Sequence, residues 1–472
     1  MAWRRIAFFL LLSGCNLGPR YCPPKVELVN EWEKVRMERV STEEPDLAAW
    51  WEGFGDPILD QLIACAIEHN YDLCAATERI LQTREARRIA YSRFFPQIDG
   101  EFTFAKELES KNPAVNGISI GPVPFFINGW QIGFSALWEI DLFGRLRKGV
   151  AAAQADLAAS VNDRRAILIS LLGEVARSYV DVRGFQRRIE VAKENNERQQ
   201  TTVEIVGVRV DVGIGSDLDL SEARALQRSV AAAIPPLYEQ LYAAMHRLAV
   251  LCGKQPFRLH DLLSEGGPIP APPEVIAIGL PCDVLRNRPD LKRAEWELRA
   301  ASARVGVAYA NLFPTISLAG VLGLDSEHIY QLFQPSSRAL QIGGDLVQPV
   351  FHGGALRANV RLAQRRYGEL LCQYHQRVLT SLEEVRNAIV NFEQQQIRHR
   401  LLHEAADNSR RSLELATELY KQGIVDFLRV IDAERSVSLF DDDRLAAEAQ
   451  IALDAINLYV ALGGGWAVEC AS

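Results

Sequence analysis

One stretch of the sequence has the residue types of a serine nucleophile. Gly117-Ile118-Ser119-Ile120-Gly121 matches the G-x-S-x-G pattern, in which the serine sits on a strand-to-helix turn. Here the pattern stands between Pro113 and Pro122, in a predicted loop that joins two strands, so the required helix does not follow it. His403-Glu404 lacks the second histidine of a zinc protease, and no phosphate-binding glycine loop is present. The sequence therefore predicts a protein that is not an enzyme and needs no cofactor.

Cysteines and acidic residues are the remaining candidates for metal ligands. The cysteines beyond residue 15 form no CxxC pair and have no histidine at metal-binding spacing, so we expect no metal site. Several lie on amphipathic helical patterns, where a thiol behaves as a small apolar group. We expect the acidic run Asp441-Asp442-Asp443 to form a solvated helix face. We expect these thiols to be mostly unpaired and buried: Cys22, Cys65, Cys74, Cys252, Cys282, Cys372 and Cys470.

The N-terminal residues resemble an export signal rather than a structural element. Arg4 and Arg5 precede the short apolar run Ile6–Leu12, and Leu12-Ser13-Gly14-Cys15 is similar to a bacterial lipobox. A lipobox implies cleavage after residue 14 and lipid attachment to Cys15, where two acyl chains give a stable anchor. An aspartate directly after the lipidated cysteine would favour retention in the inner membrane. The residue here is Asn16, which favours the outer membrane. The alternative is an ordinary secretory signal with a chance cysteine.

The composition of the 472-residue chain limits the remaining classes. A net charge of −8 argues against a nucleic-acid-binding protein, which requires a basic surface. Apolar residues make up 48% of the chain, yet the longest unbroken apolar run is Ile6–Leu12. A membrane-spanning helix needs about 18–20 such residues, so the sequence excludes a polytopic helical transporter. Any passage through a bilayer would require strands closed into a barrel.

The chain contains a tandem repeat, because several motifs recur at a near-constant offset. Tyr71-Asp72-Leu73 and Phe94-Phe95-Pro96 recur 218 residues later as Pro289-Asp290-Leu291 and Leu312-Phe313-Pro314. Near the end of each copy, Leu251-Cys252-Gly253 is matched with Leu462-Gly463-Gly464. We divide the chain into a signal peptide (1–14), a lipid-anchored extension (15–57), a first repeat (58–256), a linker (257–275), a second repeat (276–466) and a tail (467–472).

Each repeat has two segments in which apolar and polar residues alternate, as in half-buried strands. We predict strands at about 97–108, 129–142, 314–325 and 339–351. About ten residues is the length of a transmembrane strand, although a soluble hairpin would show the same alternation. Four strands cannot close a membrane barrel, and open edges are not tolerated in lipid. Strands in a membrane would therefore require several chains to build one barrel.

A very long helix follows each strand pair. No proline interrupts the sequence from about Gly144 to Arg209 or from about Ala355 to Tyr420, and apolar residues in the second stretch recur every three or four positions. About 65 residues of helix span roughly 100 Å, so each helix must pack against others along its length. A glycine-containing turn follows each long helix and precedes a shorter return helix. This order predicts two helical hairpins with projecting tips. The tips are Val212-Gly213-Ile214 and Gly423-Ile424-Val425.

Charged and aromatic residues flank both tips. Asp217 and Asp219 follow the first tip, and Tyr420, Arg429 and Asp432 surround the second. If several hairpins converge, these side chains would form rings at a constriction, and acidic rings select cations. The alternative is that they are surface charges near a helix N-terminus, where aspartate is favoured.

Taken together, the sequence resembles the TolC-type outer membrane efflux proteins, in the branch of NodT-type lipoproteins. The resemblance extends from Cys15 to about Trp466. The motifs that carry it are Gly18-Pro19-Arg20-Tyr21, Trp50-Trp51, Phe54-Gly55-Asp56-Pro57, Trp138-Glu139-Ile140-Asp141-Leu142-Phe143-Gly144-Arg145, Arg288-Pro289-Asp290-Leu291, Phe313-Pro314 and Tyr420 through Arg435.

The resemblance implies a homotrimer that is mainly α-helical with membrane β-structure. Each chain would supply four strands to a 12-stranded outer-membrane barrel, which a long periplasmic α-helical barrel continues. Its inner end would stay closed until an inner-membrane efflux pump of the RND type and a periplasmic adaptor engage it. By position, Tyr420 and Asp432 match the family's aperture residues, and the two tips match its adaptor contacts. Arg429 departs from relatives that carry an acidic residue there.

The implied function is the exit duct of a tripartite efflux system, through which small molecules such as drugs pass while the pump supplies the energy. The rival interpretation is a periplasmic coiled-coil adaptor or scaffold lipoprotein, which would share the lipid anchor and the helical hairpins but form no pore. Adaptors of that kind usually have one hairpin and a lipoyl-like β-domain rather than two tandem halves.

Overall fold

The computed structural model describes residues 18–26, 39–43, 45–108 and 126–467. The predicted lipidation site Cys15, the serine motif Gly117–Gly121 and Cys470 lie outside the described residues.

The first repeat follows strand β1 (Val40–Ser41) and begins with helices α1 (Pro57–His69) and α2 (Tyr71–Ser92). Strands β2 (Gln97–Leu108) and β3 (Phe126–Ile140) come next, and helix α3 (Arg145–Asp211) follows them. The return is divided into helices α4 (Asp217–Ala232) and α5 (Ile234–Leu251), and the short helix α6 (His260–Leu263) comes after it. The division falls just before Pro235, because proline has no amide hydrogen for the helix and is best placed in its first turn.

The second repeat has the same order of elements. Strand β4 (Ile276–Ala277) and helices α7 (Pro281–Asn287) and α8 (Pro289–Ala310) precede strands β5 (Thr315–Ser326) and β6 (Arg338–Val347). Helix α9 (Ala355–Lys421) is followed by an undivided return helix, α10 (Phe427–Ala461). Strand β6 ends at Val347 rather than near residue 351, because Pro349 cannot donate a ladder hydrogen bond.

The chain divides into two compact units. Of the described residues, the first unit comprises 18–24, 80–108, 126–160 and 294–373, and the second comprises 25–26, 39–43, 45–79, 161–293 and 374–467. The four-stranded sheet lies in the first unit, and the tips and the largest hydrophobic core lie in the second.

The sheet of the first unit is antiparallel, with the strand order β2-β3-β5-β6. Its central pairing joins the two repeats, with Phe134 opposite Leu322. Gly100 lies opposite Phe134, and Leu340 lies opposite Leu322, so even-numbered residues occupy one face in all four strands. Within the described residues, the prediction of four long strands, two from each repeat, is confirmed.

The even-numbered face of the sheet is apolar and exposed. Phe104 packs against Trp130, with 4.2 Å between their ring centroids, and Ile342 is 77% exposed. On the opposite face the side-chain amide of Gln131 donates a 3.4 Å hydrogen bond to Asp325. Other large exposed side chains of the apolar face are Ile98, Phe102, Ile132, Phe134, Trp138, Leu318, Leu322, Leu340 and Leu346.

A strand-to-helix junction in the first unit accounts for the spacing of the Trp138–Arg145 motif. The Asp141 carboxylate accepts hydrogen bonds from the backbone amides of Leu146 (3.1 Å) and Arg147 (2.9 Å), two donors that the first turn of α3 leaves unpaired. Glu139 forms an ion pair with Arg145 across the same junction. The acidic residues of the motif therefore stabilise the start of the long helix.

The core of the second unit is built around Trp50, which stacks on Tyr459 with 5.2 Å between ring centroids. Beside it, Arg288 donates paired hydrogen bonds to Asp290 (3.0 and 2.9 Å) and single ones to Glu384 (2.6 Å) and the Ala461 carbonyl (3.1 Å). The two carboxylates raise the pKa of Arg288 against the opposing effect of its burial. Charge-assisted hydrogen bonds thus tie the start of α8 to α9 and to the end of α10.

Helices α3 and α9 each contain 67 residues, which corresponds to a length of roughly 100 Å. Within the second unit, the buried side chains of α9 include Val378, Val385, Ile389 and Phe392, which fall on the apolar pattern of three- and four-residue steps predicted for this stretch. Along the residues that the structure describes, no helix has an apolar stretch sufficient to cross a membrane.

The cysteines among the described residues are free thiols, but the prediction that they are mostly buried is wrong. Only Cys252 of this set is buried, and Cys65 and Cys282 are partly exposed. The exposed thiols are Cys22, Cys74 and Cys372. An amphipathic pattern identifies an apolar stripe, but it does not show whether a neighbouring element of the same chain covers that stripe.

Candidate functional site

The first tip is a tight turn at the end of α3, and its glycine has a left-handed backbone conformation. Gly213 has a φ of +77°, a conformation that side chains with a Cβ rarely adopt. The amides of Ile214 and Gly215 both donate 2.9 Å hydrogen bonds to the Arg209 carbonyl and so satisfy the last turn of α3. Ser216 then caps α4, because its hydroxyl accepts a 3.1 Å hydrogen bond from the Leu218 amide.

The second tip repeats this geometry. Gly423 has a φ of +71°, and the Ile424 amide donates a 2.9 Å hydrogen bond to the Leu419 carbonyl. The return helix α10 starts three residues later, at Phe427. Because the turn has the same backbone geometry in both repeats, the two tips are structurally equivalent.

The tips present apolar side chains to solvent. Val212, Ile214 and Ile424 are 64–68% exposed, and Gly213 and Gly423 are exposed as well. Val425 is half-buried. Exposed β-branched residues at the end of a helical hairpin form a surface that a partner can cover.

A small hydrophobic core joins the two hairpins within the second unit. Side chains of α3, α4 and α10 are buried together there, and side chains from the last turns of α9 pack against them. Its buried members are Val206, Ala223, Leu226, Phe427, Val430 and Ile431. The two hairpins are therefore held side by side near their tips.

Tyr420 lies at the edge of this core. The Arg209 guanidinium covers one face of its ring, and Phe427 contacts the ring with 5.3 Å between centroids. Burial raises the pKa of the Tyr420 phenol, and the Asp219 carboxylate raises it further, while Arg209 partly opposes this shift. The phenol is therefore protonated at neutral pH and available as a hydrogen-bond donor.

The other charged residues predicted near the tips lie on the surface. Asp432 is exposed, and its carboxylate is 3.9 Å from the Arg435 guanidinium. Arg429 and Asp217 are exposed too. Within one chain, the structure thus brings Asp219 towards Tyr420 and leaves Asp217, Arg429 and Asp432 available to groups outside the chain.

Two functional candidates were missed by the sequence analysis. Arg209 stands in the last turn of α3, where cations are favoured, and that position was a usable signal. Glu434 is buried, and its carboxylate accepts a 3.0 Å hydrogen bond from the Thr202 hydroxyl. Burial raises the pKa of Glu434, although Thr202, Gln199 and Arg198 counteract the rise.

The prediction that Asp441-Asp442-Asp443 forms a solvated face is wrong. The Asp441 side chain is 3% exposed and pairs with Arg410. Asp442 accepts two hydrogen bonds from Arg188, at 2.7 and 2.9 Å. The bidentate pair of Asp442 links α10 to α3, and the pair of the buried Asp441 with Arg410 links α10 to α9, both below the tips.

Comparison with known proteins identifies the family. The family described as outer membrane efflux protein matches residues 62–254 and 280–464, once in each repeat. The chain belongs to this family. The predicted resemblance is confirmed, and the family is one of efflux channels rather than of enzymes.

Two curated relatives resemble this outer membrane efflux protein over nearly its whole length. Nodulation protein T of Rhizobium leguminosarum bv. trifolii is 30% identical over 467 residues, which cover 97% of this chain and 96% of that protein. The solvent efflux pump outer membrane protein SrpC of Pseudomonas putida is 29% identical over 473 residues, covering 98% and 97%.

Solved structures show the same fold for this outer membrane efflux protein. The outer-membrane channel OprN has a TM-score of 0.89 and 31% identity, over 96% of this chain and all of that chain. The open state of the Neisseria gonorrhoeae MtrE outer membrane channel has a TM-score of 0.81 and 27% identity, over 96% and 99%. The predicted fold class is confirmed by these neighbours.

Proposed function

We propose that this outer membrane efflux protein is the passive exit duct of a tripartite efflux system. Three copies would each contribute β2, β3, β5 and β6 to one closed 12-stranded barrel in the outer membrane. The long helices would form the periplasmic part of the duct. The chain would perform no chemistry and would take its energy from an inner-membrane pump.

The observation that carries this proposal is the continuous apolar face across all four strands. Large side chains stand exposed on that face, where lipid would cover them, and polar residues such as Glu101 and Gln131 line the other face. Within the described residues, β2 and β6 are paired on one side only. Open strand edges are not stable in lipid, so copies of the chain would have to pair β6 with β2 of the next.

The tips would close the periplasmic end of the duct. In this proposal Tyr420, Arg429, Asp432, Asp217 and Asp219 line the constriction, where three hairpin pairs converge. Two observations support it: Asp432 and Arg429 are exposed in the single chain, and Tyr420 lies at the edge of the core that holds the hairpins together. Opening would be a movement of the hairpins between two arrangements that partner binding selects.

The apolar tips support a periplasmic adaptor as a further partner. In the part of the chain that the structure describes, these six residues form a small, largely exposed apolar surface: Val212, Gly213, Ile214, Gly423, Ile424 and the half-buried Val425. We propose that the adaptor covers these residues when it couples the duct to a pump, which we expect to be of the RND type.

The cargo would be small organic molecules. Relatives are named for solvent efflux, toluene efflux and pyoverdine export. These names all refer to small molecules, but they do not point to one compound. The lipid on Cys15 would anchor the N-terminal extension at the outer membrane, in agreement with the outer-membrane location in the names of these relatives.

Fractionation of bacterial envelopes combined with chemical crosslinking tests this function. We expect the protein in the outer-membrane fraction, as a crosslinked trimer whose gel migration changes on heating. Labelling with a radioactive fatty acid should depend on Cys15. A monomer in the inner-membrane or soluble fraction would contradict the duct and would favour the adaptor interpretation.

A further inference from the structure

Two segments of the second unit that lie far apart in sequence come into backbone contact near the ends of α1 and α5. The Asn70 side-chain amide donates a 2.9 Å hydrogen bond to the Leu251 carbonyl. A Cβ placed on Gly253 would come within 2.2 Å of the His69 carbonyl oxygen, so no side chain larger than hydrogen fits there. Residues 69–70 and 251–253 are thus held against each other.

Cys65 and Cys252 face each other at this contact. The Cys252 thiol lies 3.6 Å from the Leu62 carbonyl, which is one turn before Cys65 on α1. The Cys65 thiol lies 3.9 Å from the backbone carbonyl of Cys252 itself. The two residues are separated by 187 positions in the sequence, and each sulfur contacts the backbone of the other's segment.

The environments of the two sulfurs differ. Cys252 is fully buried, and burial together with the neighbouring Cys65 thiol raises the pKa of Cys252. Cys65 is only partly buried and is therefore the more accessible thiol. In the folded chain, Cys65 is the sulfur that an external reagent can reach first, and Cys252 is the one positioned to react with it.

The second repeat shows that the fold does not require thiols at these positions. There Arg288 donates to the Ala461 carbonyl as Asn70 does to Leu251, and Gly463 lies against the Asn287 carbonyl as Gly253 does against His69. This match aligns Gly253 with Gly463, one residue earlier than the sequence motifs suggested. It places Asp283 at the position of Cys65 and Leu462 at the position of Cys252. The second repeat therefore has no cysteine at either of these two positions.

We propose that Cys65 and Cys252 form a disulfide bond in the exported protein. The proposal rests on the proposed function only in that the chain must leave the reducing cytoplasm. The oxidant would be a protein disulfide of the oxidising compartment. Its S–S bond is broken by the Cys65 thiolate to give a mixed disulfide, and Cys252 then displaces the oxidant's second sulfur.

This exchange is balanced. One S–S bond forms between Cys65 and Cys252, one breaks in the oxidant, and two electrons and two protons pass to the oxidant, which leaves as a dithiol. The disulfide would tie α1 to the end of α5. It would close a long loop that contains strands β2 and β3 and helix α3. Such a bond reduces the freedom of the unfolded chain.

Peptide mapping of the wild-type protein tests the bond directly. Protein from the envelope is blocked with N-ethylmaleimide in denaturant without reductant, and is then cut with trypsin and a glutamate-specific protease. Cleavage at Glu52, Glu68 and Arg247 separates Cys65 from Cys74 and leaves Cys252 in residues 248–254. We expect a linked pair of residues 53–68 and 248–254, while Cys74 and Cys372 carry maleimide. Maleimide on both Cys65 and Cys252 would overturn the proposal.

Thermal unfolding with and without reductant gives a second test. Reduction should lower the melting temperature of the wild-type protein by roughly 5–10 °C, a fall of the size expected for a long closed loop. Cys65→Ala should unfold at the lower temperature with or without reductant, and Cys74→Ala, an exposed control, should behave as wild type. An equal response of Cys65→Ala and wild type to reductant would contradict the bond.

The two proposals can fail separately. Outer-membrane protein with free Cys65 and Cys252 would overturn the disulfide and leave the duct intact. A linked peptide from protein that forms no trimer would support the disulfide and overturn the duct.

Discussion

The guanidinium of Arg209 lies over the ring of Tyr420, with 4.6 Å between the Cζ atom and the ring centroid. Arg209 is in the last turn of α3 and Tyr420 is in the last turns of α9, so this contact joins the long helices of the two repeats. It lies directly beside the two tips. We infer that it helps to hold the hairpins in the closed arrangement.

Arg209→Ala should make the proposed duct open more readily. An exposed or half-exposed cation–π contact contributes about 1 kcal/mol, and a bias of that size changes an open-to-closed ratio about fivefold. We expect a higher open probability in planar bilayers. Arg209→Lys keeps the charge and should lie between Ala and wild type, and an Ala variant with wild-type gating would remove this contact from the gate.

Asp432→Ala should raise the single-channel conductance, and Tyr420→Phe should add to the effect. The carboxylate is exposed in one chain, so its removal loses interactions at the constriction rather than in the core. Glu85→Ala is a matched control, because Glu85 also pairs with an arginine three residues later on a helix. Equal conductance of wild type, Asp432→Ala and the double variant would exclude both residues from the constriction.

Glu434→Gln should stabilise the protein at neutral and alkaline pH. Because burial raises the folded-state pKa of Glu434 above its ordinary 4.5, ionisation opposes folding. Stability from this group is greatest below about pH 4.5 and falls as the pH rises towards the folded-state pKa.

The amide variant removes that loss and can still accept the hydrogen bond from Thr202. We expect a melting temperature about 2–4 °C higher at pH 8 and no difference near pH 4, where the carboxyl is protonated in both states. Glu414→Gln, on the exposed side of α9, is the control for the same carboxylate-to-amide change outside the core. A Glu434→Gln effect that is equal at both pH values would contradict the assignment.

Phe134→Arg should prevent stable insertion of the sheet, whereas Ser135→Arg should be tolerated. The two residues are adjacent on β3 and point to opposite faces, with Phe134 on the apolar one. An arginine facing lipid near the middle of a membrane costs about 2–4 kcal/mol. We expect loss of the crosslinked trimer for Phe134→Arg and a trimer with altered conductance for Ser135→Arg. The reverse result would mean that the faces are assigned wrongly.

The sheet could be predicted because its signal is local. Alternation along Ile98, Phe102 and Phe134 depends only on the two-residue period of a strand, and the register keeps all these residues on one face. The left-handed tips could be predicted for the same reason, since Gly213 and Gly423 act through their own backbone.

The residues that were misinterpreted depend on partners far away in the sequence. Asp441 falls on the same helical stripe as Phe427, Val430, Glu434 and Val437, so the periodicity indicated a buried position. Its charge suggested solvent instead, because the ion pair with Arg410 has no local signature. The position of Arg209 over Tyr420 likewise depends on how two separate helices end beside each other.

If several copies of the chain build one pore, the purified, crosslinked trimer should conduct ions in planar bilayers. We expect uniform conductance steps from the wild-type trimer and larger steps from the Asp432→Ala trimer. A correctly assembled trimer, extracted from the outer membrane, that produces no conductance steps in either form would contradict the shared pore.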